Sequence, residues 1–594
     1  MATCNHCSLS EATHACGECK NAVYCSTACQ SAAWPLHAIG CKTILARNPD
    51  DVAVREPAVA FLRFVDASPT AYHAAETCAF YLKWARFKEL AEEDQWTLER
   101  GGRYFYVRGG STIVAFVVGS AYEPGDGLHF IATHTDSVAL KIKSSHSAAA
   151  QRGYDLLALD PYSSARWHTW INRDLGVAGR VFTRPAMDTR SRDYAPLRSH
   201  LVHIKEPLFC IPGLAIHLSK ERTDEGAPVL ALLGTTGYER KLGADKLDAD
   251  DFAPPSVPPT AKEDGKHHAA FMGLLARELK LASCSEIASF DLSLCDIQPA
   301  ALGGIHREFI FAPRIDNLLG TFCAIRAFVD TAASASPPKR ATNENSARME
   351  ERNIRGFIAF DHEEVGSGSA HGARSPLVDE LMRRVLESMM NLTTTETTTS
   401  KTRDAGKPGA KPERETSSGS EGGPDPLSAS ASSSRSTPSR SVAPRPARSF
   451  EQLLARSARR SFLLSCDMGH ATHPTLGPSR VVWPALHGGP VLHYSANQSL
   501  ATSAESAALI KEVARHARVS LQENQQDRTV SRGSTVGPII STRSGIRAAD
   551  VGITQLSMHS IREVASIHDV ALLVDFLRTF YDKFSTIDNE SRKK

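Results

Sequence analysis

The sequence predicts an α/β fold that is interrupted by an inserted β-rich domain and preceded by a small cysteine-rich module. Two regions, 55–140 and 305–590, alternate apolar strand-like runs with amphipathic helical patterns, which indicates an open sheet covered by helices. The segment between them, 141–304, contains short β-like runs such as LVHIKEPLF at 201–209, and it indicates an inserted β-rich domain. Residues 1–42 hold seven of the 13 cysteines and are too short for an ordinary core.

Composition favours a chain of several domains and argues against a nucleic-acid or membrane partner. The 594 residues are 42% hydrophobic, enough for more than one core, and a formal net charge of +2 provides no basic field for nucleic acid. The first ten residues, MATCNHCSLS, lack the charged and apolar regions of a signal peptide. No apolar run reaches the ~18–20 residues that span a bilayer. We therefore expect a cytoplasmic protein that binds neither nucleic acid nor membrane.

A long polar stretch divides the second α/β region. Residues 393–448 are rich in Ser, Thr and Pro and contain few apolar side chains that could offset the entropy of ordering. We therefore expect a disordered insertion. A solvated loop is favoured over a phosphorylated regulatory tether.

The cysteine-rich module contains eight potential metal ligands in four close pairs. Their spacing, C-x2-C, C-x2-C, C-x3-C and H-x3-C, suits two tetrahedral zinc ions. Disulfides are the alternative, but seven cysteines and a spaced histidine without a secretion signal argue against them. The module resembles the MYND-type zinc finger, which implies closed zinc sites and a protein partner bound through a proline-containing peptide. The resemblance assigns Cys4, Cys7, Cys25 and Cys29 to one zinc ion, and Cys16, Cys19, His37 and Cys41 to the other.

Acidic residues or a histidine lie at or just past the ends of five strand-like runs. Ligands of open α/β sheets bind beyond the carboxyl ends of the strands, so these residues can converge although they are more than four hundred positions apart. One such residue alone is more often a cap or a satisfied loop residue. Together they suit two divalent metal ions without thiolate ligands. They are His134 and Asp136, Asp316, Glu363 and Glu364, Asp467, and His559.

Two adjacent glutamates follow the apolar run at 357–360. Neighbouring side chains of an extended segment point to opposite sides, so Glu363 and Glu364 are predicted to have different roles. No role is assigned to the preceding residue, His362.

The motifs around these residues resemble those of the M18 family of metallopeptidases, the aspartyl aminopeptidases. The resemblance implies a zinc exopeptidase with a mostly doubly wound mixed sheet, in which the inserted β-rich domain serves dimerisation and oligomerisation. It also implies homo-oligomers, dodecameric in the family, and peptide substrates with a free N-terminus that begin with Asp or Glu. The matching phrases are ATHTDS, WHTWINRDLGVAGRV, IPGLAIHL, RIDNLLG, FDHEEVGSGSAHGA, LLSCDMGHATHP, GSTVGPI and MHSIRE.

The resemblance implies a role for each matched residue. Glu363 is the expected general base, and Asp136 is expected to orient the imidazole of His134. His217 is expected to reach the active site of a neighbouring subunit, whereas the residues alone favour a core histidine. The implied zinc ligands are His134, Asp467 and the bridging Asp316 for one ion, and Glu364, His559 and the same Asp316 for the other.

The expected substrate-binding wall departs from the family pattern. His493 stands where relatives carry the lysine that meets an acidic side chain, and Gly488, Ser499 and Leu500 replace a lysine, an arginine and a tyrosine. A histidine is mostly neutral near pH 7, so the preference for acidic residues is the weaker part of the prediction. The alternative hypothesis is a catalytically weak or inactive scaffold that binds peptides and partners.

Overall fold

The computed structural model describes residues 14–15, 23–24, 49–184, 196–215, 217–218, 229–235, 266–334, 351–404, 448–475, 483–525 and 533–593. Of the cysteine-rich module these include only two paired antiparallel strands, β1 (His14–Ala15) and β2 (Val23–Tyr24). The eight zinc ligands predicted for the module lie outside the described residues.

Helices cover both faces of the main sheet. Several begin at a serine that caps the first turn: Ser449 accepts a hydrogen bond from the Gln452 backbone N–H, and the Gln452 side chain accepts one in return. None of the described helices combines the length and the apolar character that a bilayer crossing requires. In chain order the described helices are α1 (Pro49–Ala67), α2 (Ala71–Trp84), α3 (Ala269–Glu278), α4 (Ile315–Ser334), α5 (Leu377–Asp404), α6 (Phe450–Arg460), α7 (Ala504–Ala517), α8 (Val536–Ser544) and α9 (Ile567–Ser591).

The strands fall into three consecutive groups along the chain. The first group is β3 (Lys88–Glu89), β4 (Arg103–Arg108), β5 (Thr112–Val117) and β6 (Leu128–His134). The second is β7 (Ala139–Ile142), β8 (Ala148–Gln151), β9 (Tyr154–Tyr162), β10 (Leu175–Thr183), β11 (Arg198–Phe209), β12 (Val229–Thr235) and β13 (Ile287–Asp296). The third is β14 (Ala301–Gly303), β15 (Phe309–Ala312), β16 (Ile354–Phe360), β17 (Phe462–Cys466), β18 (Gly469–His470), β19 (Val491–Tyr494), β20 (Gln522–Gln525), β21 (Arg547–Gly552), β22 (Thr554–Leu556) and β23 (Glu563–Ser566).

The first group and five strands of the third build a mixed nine-stranded sheet in the order β20-β19-β21-β17-β6-β16-β5-β4-β3. Its centre, β21-β17-β6-β16, is parallel, and alternate side chains of these strands enter two separate cores. Ile131 faces the core formed with α1, α2, α4, α7 and α9, whereas Phe130 and Ala132 face the core formed with α5, α6 and α8. This arrangement confirms the predicted doubly wound α/β fold.

The second group follows β6 and precedes β14 in the chain, and it forms a separate seven-stranded sheet. Its order is β11-β10-β13-β7-β9-β12, with β8 paired to β9, and all of these neighbouring pairs of described strands are antiparallel. Helix α3 covers part of this sheet and buries Phe271 and Leu275 in its core. The sequence predicted no long helix in this domain.

A five-stranded sheet, β14-β15-β23-β22-β18, adjoins the main domain. It contains β15 and β22, two of the five strands whose ends were expected to carry functional residues. All five strand ends were expected to belong to one sheet, but the structure divides them between two sheets. The functional residues therefore meet where the two sheets adjoin.

Helix α5 also differs from the prediction. It continues to Asp404. The start predicted for the disordered insertion, residue 393, is therefore at least twelve positions too early. Thr393 lies inside the helix and donates its hydroxyl to the Met389 carbonyl at 2.9 Å. Residues 405–447 of the predicted insertion lie outside the described residues.

Replacing Phe322 is expected to destabilise the main domain. This α4 side chain is fully buried, and its ring lies 5.8 Å from that of Phe61 and 5.6 Å from that of Phe64. Phe322→Ala should lower the free energy of unfolding by about 3–5 kcal/mol, measured by chemical denaturation, because it leaves a cavity in a close-packed core. Phe311→Ala, at a ring that is 36% exposed, is the matched control. Equal losses in both variants would contradict the prediction.

Candidate metal centre

Three neighbouring parallel strands bring four of the six residues predicted as ligands or base to one edge of the main sheet. His134 is the last residue of β6 and lies beside Phe360, the last residue of β16. The two glutamates follow β16 in a single 3-10 turn, Glu363–Val365, and Asp467 follows β17. Parallel strands end at a common edge, so the side chains converge there.

The small sheet supplies the two remaining residues. Asp316 begins α4 shortly after β15, and His559 lies in the connection between β22 and β23. The two strands that carry them into place, β15 and β23, pair with Ala312 opposite Glu563. This pairing sets the backbone positions of Asp316 and His559 relative to each other.

Asp316 lies between two histidines. Its Oδ1 is 3.5 Å from His134 Nε2, and its Oδ2 is 3.6 Å from His559 Nε2. Asp467 Oδ1 lies 3.3 Å from the same His134 nitrogen, and Glu364 Oε2 lies 3.4 Å from the same His559 nitrogen. The centre thus has two histidine-carboxylate halves that share one aspartate.

The donor set fits two divalent cations. Ligand atoms of His134, Glu363 and Asp467 lie within 4.8 Å of one another, as do those of Asp316, Glu364 and His559. Imidazole nitrogens with carboxylate oxygens suit zinc and similar cations. Glu364 Oε1 is buried and has no hydrogen-bond partner among the described residues, a costly state that a cation would relieve.

The electrostatics of the centre also favour cations. Burial raises the pKa of the Glu363 carboxyl well above its usual value, and the neighbouring Asp467 raises it further. Burial likewise raises the pKa of Glu364, with Asp316 adding to the effect. Carboxylates crowded in a buried site resist ionisation unless positive charge lies between them.

Asp136 connects three segments of the centre. Its Oδ1 lies 3.4 Å from His134 Nδ1, and its two oxygens accept the backbone N–H groups of Glu363 at 3.2 Å and Glu364 at 3.1 Å. The Tyr162 hydroxyl donates to Oδ2 at 2.8 Å. Burial acts to raise the pKa of the Asp136 carboxyl, but its contacts with His134, Tyr162 and the Glu364 backbone together outweigh burial and hold the pKa below its usual value.

Several contacts of the centre were missed in the sequence. Buried Glu563 accepts the backbone N–H of Asp316 at 3.0 Å and that of His559 at 2.9 Å. Its presence in the MHSIRE motif was the one available indication. Ser163 donates to Glu364 Oε2 at 3.1 Å, and Ser164 Oγ lies 2.7 Å from His559 Nδ1, although the sequence assigned no role to either serine.

A cavity of about 520 Å³ opens onto the centre. His493 lines it from β19, with its Nδ1 3.4 Å from Asn524 Nδ2. Gly469 leaves room for this ring, since a Cβ there would lie 2.7 Å from His493 Cε1. The apolar part of the wall includes Leu500, Met468, Ile539 and Met558.

His217 behaves differently from the other predicted residues. It is exposed, so the interpretation as a core histidine is wrong. It is also absent from the described residues that line the cavity of the same chain. A role toward another subunit therefore stays a prediction.

Comparisons with known proteins identify the family. The model of the aminopeptidase I zinc metalloprotease (M18) family matches residues 64–404 and 434–581, and the MYND finger model matches residues 4–41. The chain is 33% identical to a probable aspartyl aminopeptidase of Ricinus communis, over 89% of this chain and 96% of the relative. It is 32% identical to an aspartyl aminopeptidase of Dictyostelium discoideum, again over 89% and 96%.

Solved structures agree with this assignment. The chain is similar to one in a cryo-EM structure of an Ape4 and Nbr1 complex, with a TM-score of 0.70, 31% identity and coverage of 90% of this chain and 87% of that chain. Yeast aminopeptidase 1 has the same fold, with a TM-score of 0.65, 24% identity and coverage of 92% and 100%. The chain therefore belongs to the aminopeptidase I zinc metalloprotease (M18) family, and it is a metallo-aminopeptidase whose first residues match the MYND finger.

Proposed function

We propose that the chain is a di-zinc aminopeptidase that removes N-terminal residues, acidic ones above all, from peptides. The observation that carries this proposal is the position of Asp316, whose two carboxylate oxygens face two different histidines at 3.5 and 3.6 Å. A carboxylate in this position can bridge two cations. His134 and Asp467 would complete one site, and Glu364 and His559 the other.

Glu363 is the proposed general base. Its Oε2 lies 3.8 Å from His134 Nε2, at the wall of the cavity, and its backbone is held by Asp136. From there its carboxylate can accept a proton from the attacking water and deliver it to the departing amine. Zinc supplies the accompanying Lewis-acid chemistry, which lowers the pKa of water and polarises a carbonyl group.

Glu563 and Asp136 are positioning residues in this proposal. Glu563 fixes the backbones that carry Asp316 and His559, and Asp136 fixes those of both glutamates. Because each is hydrogen-bonded to more than one segment, the ligand geometry is set before any ion binds.

The acidic preference is supported by the relatives and by one cation in the cavity wall. The Ricinus and Dictyostelium relatives are aspartyl aminopeptidases by name. Arg374 lines the cavity with an exposed side chain, and its Nε donates to the Gly366 carbonyl at 2.9 Å. A guanidinium held in this way can present its remaining N–H groups to a substrate carboxylate. We propose that Arg374 and His493 together take the place of the missing lysine.

The N-terminal module and the inserted domain are proposed to bind proteins. The eight cysteine and histidine ligands would hold two further zinc ions in a finger that recruits a protein partner. A yeast relative is described as a dodecamer, and we infer a homo-oligomer here as well. Leu197, Leu214 and Leu218 of the inserted domain are 61–68% exposed, as expected for a surface that another copy covers.

Arg374→Gln is expected to reduce selectivity for acidic residues. Hydrolysis should be compared across peptides that begin with Asp, Glu, Leu or Ala. The unmodified chain should prefer Asp and Glu, and a chelator should abolish all turnover. The variant should lose about 10- to 100-fold in kcat/KM for peptides that begin with Asp or Glu, because a charge-assisted hydrogen bond is worth roughly 1.5–3 kcal/mol. Its kcat/KM for peptides that begin with Leu should stay unchanged.

The matched control is Arg152→Gln, at an exposed arginine of the inserted domain. It should behave as the unmodified chain does. Equal turnover of Asp and Leu peptides by the unmodified chain would overturn the acidic preference, and chelator-resistant turnover would overturn the di-zinc assignment.

A further inference from the structure

Three side chains beside the proposed di-zinc centre form a cluster of their own. Asp361, His362 and His371 each present a ligand atom, and these three atoms lie within 4.8 Å of one another. Two imidazole nitrogens and one carboxylate oxygen form a donor set that zinc and neighbouring first-row divalent cations prefer. We propose that this cluster is a third divalent-cation site of the catalytic domain, separate from the catalytic pair.

The contacts of Asp361 and His362 leave one donor atom of each for a cation. Asp361 Oδ1 accepts the backbone N–H of His362 at 2.8 Å, whereas its Oδ2 faces His362 Nε2 at 3.6 Å. His362 Nδ1 lies 2.7 Å from Ser369 Oγ, and this contact orients the ring. Ligating histidines usually have their second nitrogen held in this manner. Asp361 Oδ2 and His362 Nε2 are therefore the expected ligand atoms.

Two hydroxyl groups hold the ligand-bearing segments together. Buried Thr112 donates its Oγ1 to the His371 carbonyl at 2.7 Å and accepts the Asp361 backbone N–H at 2.9 Å. Ser369 Oγ accepts the His371 backbone N–H at 3.2 Å while it contacts the His362 ring. The backbones of Asp361 and His371 and the ring of His362 are thus held by side chains that are not themselves ligands, as expected of a preorganised site.

The space around the two imidazoles suits a shared ion. Their rings lie nearly parallel, 11° apart with centroids separated by 5.9 Å. His371 occupies space that exists because residue 109 is glycine, since a Cβ there would lie 2.1 Å from His371 Nε2. Asp361 is only 4% exposed, whereas both histidines are half-buried, so the site is anchored in the core and reachable from solvent.

Two arginines lie near His371, and one of them is paired with acidic side chains. Arg108 lies 2.6 Å from each of two glutamates, so the repulsion that a bound cation would meet from Arg108 is reduced. Arg180 donates to the neutral Gly109 carbonyl at 2.5 Å and keeps its charge.

An ion bound to this cluster would restrain the loop that carries Glu363 and Glu364. His362 directly precedes the turn that carries Glu363 and Glu364, and His371 lies further along the same loop between β16 and α5. A cation bound to both histidines would cross-link these two points of the loop. The site therefore anchors the segment that supplies the proposed base and one proposed catalytic ligand.

Zinc content tests the proposal independently of catalysis. The full-length chain and its variants are dialysed to equilibrium against buffer with a fixed free Zn²⁺ concentration, and zinc per chain is measured by mass spectrometry. His371→Gln and His362→Asn should each bind one zinc ion fewer than the unmodified chain. His146→Gln, at an exposed histidine, is the matched control and should show no change.

Loading with Co²⁺ provides a second readout. The visible absorption of the Co²⁺-loaded chain should contain a component that both cluster variants lack and the control retains. Zinc contents of both cluster variants equal to that of the unmodified chain would overturn the third site. Because the measurement counts ions, this outcome is distinct from any failure of the proposed peptidase activity.

Discussion

Glu363→Gln is expected to reduce kcat for peptide hydrolysis by about 10²–10⁴-fold while the zinc content of the chain stays unchanged. The amide keeps the shape of the side chain and leaves the backbone hydrogen bond to Asp136 in place. It cannot accept the proton that the proposed mechanism assigns to the carboxylate. Turnover at saturating peptide and metal analysis of the same preparation give the two readouts.

The matched control for this variant is Glu93→Gln, at an exposed glutamate of the main domain. It should retain full turnover. If Glu363→Gln turns over peptide at the normal rate, the base has been assigned to the wrong residue. If it loses zinc together with activity, Glu363 acts as a ligand rather than as a base.

Asp316→Asn is expected to abolish turnover and to lower the zinc content by two ions per chain. The replacement removes the negative charge and one of the two oxygens that face His134 and His559. Both halves of the centre lose their shared ligand, so both sites weaken together. Metal analysis at a fixed free zinc concentration measures the effect.

Asp160→Asn, at an exposed carboxylate of the inserted domain, is the control and should leave both zinc content and turnover unchanged. A loss of one ion in Asp316→Asn would show that the carboxylate serves a single site. That result would contradict the bridging role even if turnover fell equally.

The strand-end residues could be predicted because their pattern is local. An apolar run followed by a charged residue marks both the strand and its exposed end, as at His134 and Asp467. The division of these ends between two sheets was not predictable, because it depends on the pairing of β15 with β23, about 250 positions along the chain.

The supporting contacts were harder to predict than the ligands. Glu563 acts by accepting backbone N–H groups of Asp316 and His559, and such contacts are defined only once the chain is folded. The polar stretch after residue 393 was expected to be disordered on composition, but α5 continues to Asp404 through threonines of modest helix propensity.

The strand order of the main sheet has a consequence for the biogenesis of the protein. β6 lies between β16 and β17, which follow it by more than two hundred residues, and the last proposed ligand in chain order is His559. A chain emerging from the ribosome therefore holds no complete pair of catalytic sites until residue 559 has been synthesised. Metal uptake is then linked to completion of the fold, and bound zinc selectively stabilises finished molecules over partly folded ones.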